Sequence, residues 1–335
     1  MAKAPTLSYV IPSWNGLEYL KVVLPSLAAQ SFTDTETIVV DNGSTDGSLE
    51  YLKQHWPEVS VLVLGENRGF APAMNEGIAV ARGELIALLN NDLELAPNWT
   101  QIMVETASTH PEAGMFGGKV LNYYNRTKLD GAGEVMTWFS VAVKRGSGQD
   151  DTGQFDTAEA VFGPNTSAAV YRRQLMETLD GFDADFFVYL EDTDLHLRAQ
   201  LAGFTAWYEP TAVAFHMEGS TAKRMPKKML RLWHRNRVWL VLKNYPAGKL
   251  LRHFPKLLWA NAKTFYGAVR HRELTALAAA WGMAWLDLPN LIRKRRRVQR
   301  HRMVSGTYLE KLISSDFPEP SKFLTWIRRK PRQHG

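Results

Sequence analysis

Short apolar runs that end in polar turns recur along the first part of the chain, and segments with helical spacing separate them. The clearest run is Leu85 to Asn90, where five of the six residues are apolar and polar residues continue through Asp92. This pattern is typical of a strand that is buried on both faces, as in the interior of a parallel sheet. Because strands and helices alternate, we predict a doubly wound α/β fold: a mostly parallel twisted sheet with right-handed crossovers and flanking helices.

The same pattern gives the individual elements. It predicts strands at 6–11, 37–40, 59–64, 85–90, 114–121, 160–170, 205–208 and 212–216. It predicts helices at 17–30, 46–54, 71–81, 173–179 and 192–201, and one more helix opened by Pro97. We expect Pro25 to kink or divide the first helix, and Ser44 or Thr45 to cap the second. Residues 122–155 are rich in Gly, Asp and Tyr and lack periodicity, which indicates a hairpin and a mobile loop.

The chain changes from acidic to basic at about residue 223. Residues 1–222 contain 13 Lys and Arg against 29 Asp and Glu, whereas residues 223–335 contain 27 against 5. The basic part mixes Trp, Leu and Tyr with Arg and Lys at helical spacing, which predicts basic amphipathic helices. We therefore predict two domains with a boundary at this point. The second domain is expected to meet a polyanionic surface, either a membrane or nucleic acid.

Several classes of protein are excluded or disfavoured. The chain has no cysteine, which rules out disulfides, thiolate metal sites and cysteine nucleophiles. No G-x-G-x-x-G follows the first strand and no G-x-x-x-x-G-K-[ST] occurs, so neither a dinucleotide-binding Rossmann site nor a phosphate-loop NTPase is expected. No signal-peptide pattern opens the chain, and the longest apolar window, Leu274 to Leu286, is too short to span a bilayer. We therefore expect a cytoplasmic protein.

Polar clusters follow four of the predicted strands. They are residues 12–15, 41–44, 67–69 and 90–92. Parallel α/β sheets bind ligands beyond the carboxyl ends of their strands, so four unrelated turns are a poor explanation for these clusters. Carboxylate and amide oxygens at the last cluster suit a hard divalent cation, although that tripeptide taken alone is more typical of a polar turn that caps a core strand.

Six segments carry a resemblance to a known family. In chain order they are IPSWNG, VVDNGSTDGS, ENRGFAPAMNEGI, ALLNND, GFDADFFVYLEDTDLHLRAQLAGF and FHMEGS. Over about residues 6–220 they resemble glycosyltransferase family 2, and they are most similar to its rhamnosyltransferase-like branch. The resemblance implies a GT-A fold and an inverting sugar transfer from a nucleotide diphosphate, with Mg²⁺ or Mn²⁺ as cofactor. It makes 1–222 the catalytic domain. Residues 223–335 are similar to the family in character only, and their basic, aromatic composition makes them the expected membrane-association region.

The resemblance also implies a donor site. The family's matching aspartate accepts a hydrogen bond from the imide N–H of uracil or thymine, a role that falls here on Asp41. Asn15 and the backbone of Pro12 would line the same base pocket. Arg68 would pair with the diphosphate, with a solvated surface arginine as the alternative, and Gly69 would let the backbone approach. The expected donor-binding residues are Pro12, Asn15, Asp41, Asn42, Gly43, Arg68, Gly69, Asn90 and Asn91.

The expected metal ligands are Asp92 and His216. Asp92 corresponds to the last acid of the family's D-x-D motif, but Asn90 stands where the first acid usually is. An amide oxygen can still ligate Mg²⁺ or Mn²⁺, although one charge fewer predicts weaker affinity. His216 matches a histidine that completes the site in some members, and an imidazole ligand would favour Mn²⁺. A lone histidine can equally be structural.

The general base is expected in the segment that resembles the family's ED motif. An inverting transfer needs one base to take the proton of the acceptor hydroxyl. Asp192 is the candidate and Glu191 the alternative, while an acidic helix start without catalytic function would also explain these acids. Asp194 and Arg198 are spaced for a structural i,i+4 pair.

These expectations combine into one predicted activity: transfer of rhamnose from dTDP-rhamnose to a glycan or lipid-linked glycan acceptor in cell-surface polysaccharide synthesis. The basic region would hold the enzyme on the inner face of an anionic membrane. The alternatives are another UDP- or dTDP-hexose as donor, or a sugar-1-phosphate nucleotidyltransferase. The latter would need a Gly-rich, basic loop after the first strand, and none is present. A nucleic-acid-binding protein would explain the basic region but not the acidic body.

Overall fold

The computed structural model describes residues 3–217 and 226–316. Within them the chain forms two compact units. The sheet unit comprises residues 3–134, 144–187 and 204–217, and the helical unit comprises residues 135–143, 188–203 and 226–316. The helical unit thus takes in two segments that precede residue 222. The functional division at 222/223 remains a prediction.

The elements follow the predicted alternation of strands and helices. The strands are β1 (Leu7–Ser13), β2 (Thr35–Asp41), β3 (Ser60–Val63), β4 (Leu85–Leu89), β5 (Leu93–Leu95), β6 (Ala113–Asn122), β7 (Leu129–Gly131), β8 (Glu134–Thr137), β9 (Val141–Lys144), β10 (Glu159–Val161), β11 (Ala168–Arg172) and β12 (Thr205–His216). The helices are α1 (Leu17–Ala28), α2 (Ser48–His55), α3 (Phe70–Val80), α4 (Trp99–Thr109), α5 (Arg173–Leu179), α6 (Glu191–Leu201), α7 (Pro226–Asn244), α8 (Ala247–Arg270), α9 (Leu274–Leu286), α10 (Leu288–Arg300) and α11 (Gly306–Leu312).

The large sheet has the strand order β10-β12-β6-β11-β4-β1-β2-β3, with β5 paired to β12 and β7 to β6. β4, β1, β2 and β3 run parallel, as do β6 and β12. β11 is antiparallel to both of its neighbours, β4 and β6. The mostly parallel sheet is confirmed. An all-parallel sheet would have been wrong at β11 and at the short strands β5, β7 and β10, which are also antiparallel to their neighbours. A buried apolar run looks the same in either direction, so the pattern could not reveal this.

The core of the sheet unit lies on both sides of the central strands. Every residue of β4 is buried, as its unbroken apolar run predicted. Tyr9 on β1 is also buried, and its hydroxyl lies 2.5 Å from Thr100 Oγ1 on α4. Burial raises the pKa of Tyr9 to about 12. The central strands are therefore fixed by packing on both faces, which fixes the positions of their carboxyl ends.

Two local predictions for helices need correction: the predicted caps of α2 were wrong, and of the two expectations for Pro25 only division of the helix is contradicted. Neither Ser44 nor Thr45 caps α2, because the N-cap is Gly47 with φ 86°. The carboxylate of Asp46 accepts the backbone N–H of Ser48 at 3.2 Å instead. Pro25 lies inside α1 and does not divide it.

The later strands also differ from the prediction. The predicted strands 205–208 and 212–216 are one strand, β12, whose register shifts between Glu209 and Val213. The predicted strand 160–170 is instead β10 and β11, joined by residues 162–167. The hairpin expected within 122–155 is present as the two-stranded sheet of β8 and β9.

In the helical unit, a buried ion-pair cluster links α6 to α7. The carboxylate of Asp194 lies 2.7 Å from Nε of Arg198 and 2.7 Å from Nζ of Lys243, and it accepts the side-chain amide of Asn244. The predicted pair of Asp194 and Arg198 is therefore confirmed. Within the described residues, no helix is both long and apolar enough to cross a membrane.

Candidate active site

The carboxyl ends of β1 and β2 lie side by side, because Ser13 pairs with Asp41 in the parallel register. The loops after these strands are joined through Asn15. Its backbone N–H donates to Ser44 Oγ at 2.9 Å, and its Oδ1 accepts the N–H of Thr45 at 2.7 Å. Asn15 takes a positive φ of 49°, which asparagine tolerates better than most residues. Pro12, in β1, is partly buried next to this junction.

The carboxylate of Asp41 is only 1% exposed. One oxygen, Oδ2, accepts the backbone N–H groups of Gly43 at 3.2 Å and Ser44 at 3.1 Å. The other oxygen, Oδ1, is buried and accepts no hydrogen bond from any residue that the structure describes. A buried acceptor without a donor is costly, so this oxygen is a place where a ligand N–H would be favourable.

Asn42 and Gly43 connect this loop to the next one. Asn42 accepts the N–H of Arg68 at 2.9 Å and donates its amide to the carbonyl of Gly69 at 3.0 Å. Gly43 has φ 82°, and a Cβ there would lie 2.7 Å from the Cα of Glu66. In the structure, Asn42 and Gly43 therefore hold the loops after β2 and β3 together.

Gly69 and Arg68 have surroundings that the sequence did not indicate. A Cβ on Gly69, at φ 96°, would lie 2.6 Å from the ring of Phe187, so the close approach here is made by a protein side chain. The half-exposed guanidinium of Arg68 lies 4.0 Å from Glu66 and 3.8 Å from Glu76. These ion pairs are long, and a diphosphate could compete with them.

The polar residues after β4 contact two other strands. Asn91 donates to Ser13 Oγ at 3.3 Å, which ties the end of β4 to the end of β1. The backbone carbonyl of Asp92 accepts the N–H of Met217 at 3.0 Å, just beyond the end of β12. The side-chain amide of Asn90 lies 3.4 Å from Nε2 of His216. The structure thus brings together residues that are more than 120 positions apart in the chain.

The imidazole of His216 lies between two carboxylates. Its Nε2 is 3.2 Å from Oδ1 of Asp92, and its Nδ1 is 3.4 Å from Oδ2 of Asp130. All three residues are buried, with exposed fractions of 7%, 6% and 1% respectively. Burial lowers the pKa of His216, but the charges of Asp130 and Asp92 outweigh it and raise the pKa to about 9. The site therefore favours positive charge.

Asp130 was not predicted from the sequence. It lies on β7, and its Oδ2 also meets Lys144 Nζ at 2.7 Å and the side-chain amide of Asn165 at 2.9 Å. In the sequence it stands in LDGAG, which is typical of a turn. Only the pairing of β7 with β6, the neighbour of β12, brings Asp130 to His216.

Asp92 and His216 could supply two ligands to a divalent cation. Among the described residues, no group of three or more His, Cys, Asp or Glu is arranged as a metal site. A cation here would therefore need further oxygen ligands from outside the protein side chains. The donor set of one carboxylate, one imidazole and the nearby amide of Asn90 suits Mn²⁺ or Mg²⁺.

Glu191 and Asp192 form the first turn of α6 in the helical unit. Glu191 is 5% exposed, whereas Asp192 is only partly buried and is therefore the more accessible carboxylate. Oδ1 of Asp192 accepts the N–H of Thr193 at 2.6 Å. Their predicted role as catalytic acids and bases remains a prediction.

The backbone that leads into these acids is strained. Three of the four residues before Glu191 have positive φ: Phe187 (64°), Tyr189 (71°) and Leu190 (63°). Asn236 on α7, fully buried, donates its side-chain amide to the carbonyls of Val188 at 3.0 Å and Tyr189 at 2.7 Å. Such strain persists only where surrounding contacts enforce it. No pattern in the sequence marks Asn236, which is one polar residue in a basic helix.

Comparison with known proteins identifies the family. Residues 8–180 match the model of the family described as Glycosyl transferase family 2. The N-acetylglucosaminyl-diphospho-decaprenol L-rhamnosyltransferase of Mycobacterium tuberculosis is 26% identical over 258 residues, covering 69% of this chain and 82% of the relative. A Sinorhizobium fredii protein, y4gI, is 29% identical over 236 residues, and the match covers 66% of this chain but only 25% of that protein.

Solved structures give the fold. The mannosyltransferase PcManGT from Pyrobaculum calidifontis, in complex with GDP-Man and Mn²⁺, superposes with a TM-score of 0.53 at 18% identity. The match covers 90% of this chain and 85% of that one. At this identity the likeness concerns the fold alone. The predicted GT-A fold is confirmed, as is the resemblance to the rhamnosyltransferase-like branch.

Proposed function

Since this chain belongs to glycosyl transferase family 2 and is a glycosyltransferase, we propose that it transfers rhamnose from dTDP-rhamnose to a glycan or lipid-linked glycan acceptor. The observation that carries the proposal is the contact of Asp92 with His216, 3.2 Å apart, beyond the strand ends that also hold Asp41. A cation-favouring centre next to an unpaired buried acceptor suits a nucleotide diphosphate, which presents both charge and a hydrogen-bonding base.

The base of the donor would be recognised at Asp41. Its unpaired Oδ1 accepts the imide N–H of thymine or uracil, and Asn15 and Pro12 line the same pocket. Cytosine and adenine have no ring N–H at the corresponding edge, so this pairing favours dTDP- and UDP-sugars over CDP- and ADP-sugars. Within that class, the rhamnosyltransferase relative supports rhamnose, and another dTDP- or UDP-hexose is the alternative.

Asp92 and His216 would hold Mn²⁺ or Mg²⁺, and Asn90 would contribute a weaker amide contact. The raised pKa of His216 reflects a site that already attracts positive charge, which fits a cation. When bound, the ion offsets the negative charge of the diphosphate. The ligands that the protein lacks would come from diphosphate oxygens, and Arg68 would pair with the same group.

The residue that would take the proton of the acceptor hydroxyl is Asp192. The acceptor oxygen attacks the anomeric carbon as the bond from that carbon to the diphosphate oxygen breaks. The nucleotide diphosphate leaves with the electron pair, the configuration inverts, and Oδ of Asp192 receives the proton. Glu191 is the alternative base, although its deeper burial makes it less accessible.

A sugar-1-phosphate nucleotidyltransferase is the weaker candidate. Such an enzyme must hold a triphosphate, for which backbone amides and basic side chains are the usual partners. The loop after β1, Ser13-Trp14-Asn15-Gly16, contains no Lys or Arg. The charge of the 223–335 region supports a different partner, the anionic inner face of a cell membrane, where lipid-linked acceptors would be met.

A screen of nucleotide sugars with Mn²⁺ or Mg²⁺ present tests the donor. We expect dTDP-rhamnose to raise the melting temperature of the full chain most, and Asp41→Asn to abolish the preference for pyrimidine nucleotides. Asp92→Ala and His216→Ala should each remove the metal-dependent part of the shift. Stabilisation by GDP-sugars alone, or full transfer activity in EDTA, would contradict the proposal.

A further inference from the structure

Helix α8 presents an exposed apolar stripe along its whole length. Leu251, Phe254, Leu258, Phe265 and Val269 are between 48% and 79% exposed. Their spacings of three, four and seven residues place them on one face of a helix. Single exposed apolar side chains are ordinary, but a continuous row of large ones indicates a surface that meets an apolar partner.

The opposite side of α8 is fixed by packing within the helical unit. His253 and Leu257 are buried there, and the His253 ring stacks on Trp138 with centroids 3.8 Å apart. Asn261 accepts a hydrogen bond from Arg237 at 2.7 Å. Since these contacts hold the helix in one rotation about its axis, the apolar stripe cannot turn inwards without breaking them.

The flank of the stripe is aromatic and basic. Trp259 and Tyr266 lie next to it and are 44% and 66% exposed. Lys263 Nζ lies over the Trp259 ring, 4.2 Å from its centroid. Beyond them on the same flank stand four basic residues at helical spacing, which are Arg252, Lys256, Lys263 and Arg270. α8 contains no acid, and residues 247–300 contain 12 Lys and Arg against two acids.

We infer that α8 lies in the plane of an anionic lipid surface with this stripe inserted among the acyl chains. The inference deepens the membrane contact of the proposed function and rests on it. Amphipathic helices with basic flanks and interfacial Trp or Tyr bind lipid in this way. A second copy of the chain is a poorer occupant, because it would bring two strongly cationic surfaces together.

Insertion of the stripe predicts a different salt dependence of membrane attachment from charge attraction alone. Electrostatic attachment weakens steeply as salt shortens the screening length, whereas burial of apolar side chains persists. The attachment should therefore have a salt-resistant part that belongs to the stripe and a salt-sensitive part that belongs to the basic flank.

The test is sedimentation of the full chain with vesicles of phosphatidylglycerol and phosphatidylcholine in equal parts, at low and at high salt. Leu258→Ser with Phe265→Ser should lower the vesicle partition coefficient at least tenfold at both salt levels. Lys263→Ala with Arg270→Ala should lower it mainly at low salt. The matched control is Val63→Ser with Tyr124→Ser, which removes two exposed apolar side chains from the sheet unit. It should leave the partition coefficient unchanged.

Two outcomes overturn the inference. One is wild-type partition of the Leu258→Ser and Phe265→Ser variant. The other is an oligomeric wild type and a monomeric variant, both measured by light scattering without lipid, because the stripe would then be an interface between copies of the chain. Because the assay contains no donor, it is separate from the nucleotide-sugar screen. A chain that fails that screen and still inserts would refute the proposed donor and leave the membrane contact standing.

Discussion

Asp130 lies behind His216: its Oδ2 is 3.4 Å from Nδ1, the ring nitrogen that faces away from Asp92. A carboxylate behind a ligating histidine would help to set the rotation of the ring and would leave Nε2 available to a metal ion. Lys144 and Asn165 hold the same oxygen, so the Asp130 carboxylate is itself held in place. The surroundings of His216, the proposed metal ligand, thus include residues that the sequence did not indicate.

Asp130→Asn should weaken Mn²⁺ binding by about 10–100-fold, which is the usual cost of losing a carboxylate that orients a metal-ligating residue. Calorimetric titration of Mn²⁺ into the chain, with and without nucleotide diphosphate, measures this. Asp150→Asn is the control, since the exposed Asp150 pairs with Lys128 and has no ion pair with His216 among the described residues. Equal Mn²⁺ affinity in the two variants would show that Asp130 does not orient the histidine.

Asp192→Asn should lower transfer by about 10²–10⁴-fold, because the amide keeps the shape of the side chain but cannot accept the acceptor's proton. Donor affinity should stay close to that of the wild type. Glu191→Gln should have a milder effect, through the electrostatics of the helix start. Turnover and donor binding on both variants decide the roles, which are reversed if only Glu191→Gln is inactive. If both variants remain active, the base lies elsewhere.

Lys243→Met should destabilise the helical unit by about 3–5 kcal/mol, because it removes one partner of the buried Asp194 carboxylate. The midpoint of urea unfolding measures the change, and Lys311→Met on the exposed side of α11 is the control. A fragment that ends at residue 222 would lose both Lys243 and Asn244 from this cluster. We therefore expect this fragment to have a poorly formed α6. It would then not fold as an independent catalytic domain. A loss below 1 kcal/mol in Lys243→Met would show that Arg198 and Asn244 are sufficient partners for the Asp194 carboxylate.

His253 should make the helical unit sensitive to acid. Burial lowers the pKa of His253, and the charges of Lys256 and Arg252 lower it further, while Glu310 acts in the opposite direction. A histidine whose folded-state pKa is lowered binds a proton more readily when unfolded. Its contribution to stability is therefore present above the unfolded pKa of about 6.5 and is lost as the pH falls below it.

The difference in unfolding free energy between the wild type and His253→Phe isolates this contribution. Phenylalanine keeps a ring against Trp138 but cannot be protonated. The wild type should lose stability relative to the variant between pH 7 and pH 5. A difference that is constant over this range would mean that His253 has the same pKa in both states.

The sequence predicted those parts of the site that are local in the chain. Asp41 and Asp92 follow apolar strands directly, so their place at the sheet edge could be inferred from pattern alone. Asp130 and Asn236 could not be found in this way, since each reaches its partner through strand or helix packing across many residues. The cap of α2 was missed for a related reason, because Asp46 bonds both to Ser48 and to Leu17 of another helix.

The positive φ values at Phe187, Tyr189 and Leu190 imply that this chain is not at its stability optimum. Each such residue costs on the order of 1–3 kcal/mol, which glycine at the same torsion would largely avoid. Selection for thermal resistance alone would be expected to replace Tyr189 or Leu190. A variant with glycine at one of these positions should be more stable to heat. Its α6 should begin more loosely and its turnover should be slower, which is a trade-off between stability and activity.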